Sequence, residues 1–172
     1  MSATADATPH RNAPLFLGSA LVATGLYLGL SLWSADVTLD PRAAAEACWT
    51  GRFGCYAAFY ARVTVGTLPA LAAAVLCCLW GVHVVRGGRF WSTWPQVAGG
   101  ALTVAALSLL MTTATRLAAN PYYGGLTGLA VAPAGVAWFG AAGVFGLGIL
   151  GLIMGGALVF GEHIRLLFRA CA

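Results

Sequence analysis

The sequence predicts an all-α membrane protein: four transmembrane helices, with a short extracytoplasmic helix between spans 1 and 2. Three observations predict it. Charged residues make up 8% of the chain and hydrophobic residues 60%, whereas a water-soluble domain carries about 25% charge. Residues 117–161 contain no charged residue at all. Apolar segments of about 20 residues, the length that crosses a bilayer core of about 30 Å, recur four times.

Residues 1–13 form a small polar tail rich in Ala and Thr, of the composition expected to stay disordered and cytoplasmic. The transmembrane domain is expected over 14–168, with 169–172 as a C-terminal tail. The first span, 15–34, has an apolar stretch longer than a signal-peptide core. It also carries bulky Trp33 where a cleavage site wants a small residue, so it reads as a retained anchor. The following loop, to Arg62, holds three of the five acids, Asp36, Asp40 and Glu46. Asp40-Pro41 reads as an N-cap and first helical residue, predicting a short helix from Pro41 to Cys48 that stops near Gly51. The second span, 63–85, contains Pro69 and is expected to kink there. Arg86, Arg89, Trp91, Trp94 and Pro95 mark a tight interfacial turn before the third span, 97–117. Asn120, Pro121, Gly124 and Gly125 supply turn chemistry, and the fourth span is expected over 134–160.

The nine basic residues are all arginine. Placing both termini in the cytoplasm puts Arg11, Arg86, Arg89, Arg165 and Arg169 inside and Arg42, Arg52, Arg62 and Arg116 outside. That excess follows the positive-inside rule and gives a multi-pass protein of the inner (plasma) membrane, N-in and C-in. The arginines form no continuous patch, so direct nucleic-acid binding is not expected. Without a lysine, these residues cannot form a GxxxxGK[ST] phosphate loop.

Cys48 and Cys55 share the largest loop. On an oxidising face they would form a structural disulfide. The alternatives are two free thiols, or a redox pair like that of four-helix thiol oxidases that pass electrons to quinone. A redox relay of that kind needs a second external pair, and 116–133 contains no cysteine. Cys77 and Cys78 lie mid-span and read as small packing residues. In the fourth span, Ala141, Gly148 and Gly155 recur every seven residues, and Gly151 to Gly155 forms a GxxxG. Such a face lets helix backbones approach closely, against another span or against a second copy of the chain.

No Ser/His/Asp set, HExxH or metal-spaced cluster appears. Catalytic residues, cofactors and metals are therefore not expected, and the chain does not read as an enzyme. A small transporter or a subunit of a larger complex is the other alternative, and an ionisable residue buried in mid-membrane would be the best sign of a transporter. His83 and Arg116 sit instead near span ends, and a polar cavity lined by either would contradict a purely passive scaffold.

Three segments carry a resemblance. Leu32-Trp33-Ser34-Ala35-Asp36 with Asp40-Pro41, then Leu79-Trp80-Gly81 running to Arg89, then Tyr123-Gly124-Gly125-Leu126-Thr127-Gly128 before a glycine-rich last helix, together resemble the N-terminal four-helix membrane domain of the FtsK/SpoIIIE DNA translocase family. The resemblance implies a membrane anchor and oligomerisation module linked to cell division and chromosome segregation. Its partners would be the lipid bilayer, other copies of itself, and a separate FtsK-like motor or division proteins. The family's linker and motor domain are absent from these residues, which implies a stand-alone module.

Overall fold

The computed structural model describes residues 13–34, 48–86, 94–116 and 124–171; for 115–116 and 162–171 it describes the backbone alone. Among these residues there are five helices: α1 (Ala13–Ser34), α2 (Gly51–Val65), α3 (Thr67–Val85), α4 (Trp94–Arg116) and α5 (Gly125–Cys171). Four of them, α1, α3, α4 and α5, are long and apolar enough to cross a membrane. The chain is thus an all-helical, multi-pass membrane domain.

The boundaries differ from the sequence reading in three places, each at a glycine. The helix between spans 1 and 2 occupies Gly51–Val65, read as loop up to Arg62 and as the second span from Val63, while the helix expected from Pro41 lies outside the described residues except for non-helical Cys48. The second span starts at Thr67 rather than Val63, because Gly66 (φ 96°, ψ 164°) breaks the helix there. Pro69 consequently falls in the first turn of α3, where its missing N–H costs no hydrogen bond, and it does not kink the span.

The fourth span differs most. It starts at Gly125 and carries one non-helical residue, Gly140 (φ 69°, ψ 169°). A straight helix of 37 apolar residues, Gly125–Gly161, would overrun the bilayer. The break divides it into a short arm, 125–139, and a long arm from 141; the stretch 141–161 is about 30 Å long at the helical rise, one bilayer core.

These breaks expose a plan that is used twice. In each half a long helix (α1 or α4) is followed by a short helix, a glycine elbow and a second long helix. Corresponding residues lie 81 apart in the first helix (Pro14 and Pro95, Gly18 and Gly99) and 74 apart thereafter (Gly51 and Gly125, Gly54 and Gly128, Gly66 and Gly140, Gly81 and Gly155). Burial repeats with the sequence: Ala58 and its counterpart Ala132 are both 0% exposed.

The packing repeats as well. A side chain at Gly18 would collide with the Gly81 carbonyl oxygen at 2.8 Å, and one at Gly99 with the Gly155 carbonyl oxygen at 2.9 Å. Lipid gives helices no hydrophobic reason to associate, so such backbone-to-backbone approaches and their dispersion contacts hold each half together. α1 lies along α3, and α4 along α5, far more extensively than the two halves touch each other.

Candidate functional site

One end of the first half, where α1 finishes and α2 begins, is a small knot of polar and covalent ties. Cys48 and Cys55 are joined by a disulfide with 5.9 Å between their Cα atoms, which fastens the chain entering α2 to that helix's second turn. Tyr27 donates its hydroxyl to the Thr50 carbonyl at 2.9 Å, and Ser31 donates to Thr50 Oγ1 at 2.8 Å. The Arg62 guanidinium donates to the Leu32 carbonyl near the end of α1, where a cation favours the helix dipole. Beneath these contacts lies the apolar cluster of Leu32, Cys55, Ala58 and Ala70.

The second half ties the same positions differently. Ser108, the counterpart of Tyr27, donates to the carbonyl of Gly124, the counterpart of Thr50. Thr112 bonds back to the Ser108 carbonyl at 2.9 Å and lies against Gly124 and Gly128, where any side chain would meet it. No cysteine is involved.

The halves meet along α3 and α4, and closely where α5 begins. The first residue of α5, Gly125 (φ 65°), approaches the Gly66 elbow so tightly that a Cβ would stand 2.5 Å from the Gly66 nitrogen. Thr127 Oγ1 donates to the Thr64 carbonyl across the same junction at 2.9 Å. Beside it an open cleft of about 840 Å³ lies between α3, α4 and the long arm of α5. Its walls are apolar along Leu76, Val82, Val97 and Val104, with Trp80 among them; His83, Arg86 and Gln96 edge the end where α3 finishes and α4 begins. The interior is thus less completely filled than expected, and His83 does line the gap; the rest of the lining is mainly apolar, so the cleft is not the polar cavity that would contradict a scaffold. The hydroxyls of Ser108 and Thr127 at the other end are engaged in the bonds above.

The residues singled out in the sequence separate cleanly. Gly148, Gly151 and Gly155 all face α4: Cβ atoms there would meet Leu110 Cγ at 2.6 Å, Ala106 Cβ at 2.9 Å and the Gly99 carbonyl at 2.8 Å. They are packing residues within the chain. Ala141 lies exposed just beyond the Gly140 elbow and is not buried against another helix. Arg86 ends α3 and is exposed. Arg11 and Arg89 lie outside the described residues, as do the side chains of Arg165, Arg169 and Arg116. The Cys77 and Cys78 thiols rest on the carbonyls of Leu21 and Val22 at 3.5 and 3.7 Å, packed against α1. Among the described residues no group of three His, Cys, Asp or Glu could hold a metal ion.

The junction residues Thr64, Gly66, Gly125 and Thr127 were not singled out in the sequence. The signal that locates them is the recurrence of Gly-x-x-Gly and then Gly at the same spacing in both halves (Gly51, Gly54, Gly66; Gly125, Gly128, Gly140).

Fold and packing together define a four-span integral membrane domain with its polar ties gathered at one rim and no catalytic constellation among the described residues. Residues 14–172 match the 4TM region of DNA translocase FtsK/SpoIIIE, and the chain belongs to that family. No curated protein and no solved structure matches the chain significantly.

Proposed function

We propose that this domain is the plasma-membrane anchor of a DNA-translocase assembly in dividing cells, and that it acts by holding and assembling rather than by chemistry. The observation that carries the reading is the family match across residues 14–172, nearly the whole chain. A role in division and chromosome segregation follows from the translocases to which that region belongs. Both termini lie in the cytoplasm in this reading. The arginine excess on that side supports it, and so does the Cys48–Cys55 disulfide at the opposite rim, where an oxidising compartment would maintain it. A motor, division proteins and further copies of the chain are the partners; DNA contact is left to other parts of the machine.

The test is the distribution of a fluorescent fusion in dividing cells. Enrichment at the septum is expected, and uniform membrane fluorescence through division would overturn the reading.

A further inference from the structure

The junction between the halves joins unlike surfaces: the elbow of the first half receives the leading end of the second half's short helix. Such a heterologous contact leaves one copy of each surface unused. The unused elbow is Gly140, whose φ and ψ (69°, 169°) resemble those of the occupied elbow Gly66 (96°, 164°). The unused leading end is Gly51 (φ 74°), the counterpart of Gly125 (φ 65°). Gly66 and Gly125 are buried, while Gly51 and Gly140 are exposed, and no described atom comes within 4 Å of the place where either would carry a Cβ. A closed pseudo-two-fold pairing would have brought Gly51 and Gly140 together within the chain; they remain apart.

We propose that the chain assembles head to tail, the Gly140 elbow of one copy receiving the Gly51 end of α2 of the next. The occupant is a second copy because the matching surface is already built and already used once inside each chain. The flanking residues differ from the inner junction in the direction an intermolecular contact requires. Thr64, Val65 and Thr127 are replaced at the outer surfaces by Trp138 (84% exposed), Phe139 (63%) and Phe53 (78%). Large aromatic anchors are the residues enriched at the cores of protein interfaces. Repetition of one heterologous contact closes a ring when its rotation divides a full turn, and the bilayer plane confines that rotation to one axis. This gives the assembling role proposed above its partner and its surfaces, and it rests on that reading for its biological meaning alone.

The experiment uses the full chain in its native membrane, with a benzophenone amino acid placed at position 138 or, separately, at position 53. Illumination is expected to shift monomer into a ladder of multimers. Mass spectrometry should map the position-138 adducts to 49–56 of another copy and the position-53 adducts to 137–141. Adducts joining 138 to 138 would reveal a symmetric pairing and overturn the proposal. Adducts to lipid alone would also overturn it and make these aromatics a membrane-interface belt. Trp138→Ala should abolish the ladder formed from position 53 while the Cys48–Cys55 disulfide stays intact; an undiminished ladder would contradict the assignment. Septal localisation is read separately, so loss of either result leaves the other interpretable.

Discussion

The two halves of this domain share a backbone and differ in how they fasten it. At the rim where the long helix hands over to the short one, the first half uses a disulfide, an arginine and Tyr27, whereas the second uses Ser108, Thr112 and paired glycines. Towards the opposite end of the long helices the difference vanishes: Gly18 on Gly81 and Gly99 on Gly155 are the same contact. The comparison teaches which features the unit needs in order to fold and which each half is free to vary. Close backbone approach is required by packing in lipid; the fastening at the rim needs only some tie of comparable strength.

The largest effects are therefore expected where the halves agree. Gly81→Leu and Gly155→Leu each force a branched side chain against an immovable backbone, and each should lose about 3 kcal/mol or more, the upper range for overpacking. Denaturation by increasing mole fraction of a harsh detergent in mixed micelles measures this. A large loss at one position and none at the other would break the equivalence of the halves.

Effects at the rim should be one-sided. Removing the disulfide with Cys48→Ser and Cys55→Ser should cost about 2–3 kcal/mol through the short loop it closes. In the same unfolding assay a reductant should reproduce that loss in the parent chain and leave the double variant unmoved. Ser108→Ala should cost about 1 kcal/mol, the net value of one hydrogen bond, with an added share for the Gly124 carbonyl left behind. Thr127→Val removes the bond to Thr64 together with the hydroxyl contact to Ser108 and should cost about 1 kcal/mol; its excess over any loss shared with Ser108→Ala weighs the junction against the halves.

The four spans were legible because length and apolar composition alone determine what crosses a bilayer. The resemblance to the translocase membrane domain was legible from the same segments and short motifs. The elbows were not. Hydropathy is indifferent to the sign of φ, and Val63-Thr64-Val65 continues the apolar run straight through Gly66, so the second span appeared to start too early. In the fourth span Gly140 is one glycine among many, and nothing local distinguishes it from Gly143 or Gly146, which stay helical. The repeat was hidden for a related reason: its matching residues are mostly glycine and alanine, the commonest small residues of a membrane helix, and the two halves fill the rim positions with unlike chemistry. Comparing the halves at a fixed spacing recovers it, whereas scanning for motifs does not. The packing role of Gly148, Gly151 and Gly155 was readable as a choice between two partners, and only the position of α4 decides it.

The central claim is that one helical unit occurs twice and is joined through Gly125, while the equivalent glycine, Gly51, meets no other described residue at its Cβ position. The most direct test is the stability of Gly125→Ala against Gly51→Ala, both measured on monomeric protein in the same micelles. Both substitutions incur the left-handed backbone penalty of about 1–2 kcal/mol. Gly125→Ala should lose about 1–3 kcal/mol beyond that, because its methyl group meets the Gly66 backbone. Equal losses for the two variants would contradict the account.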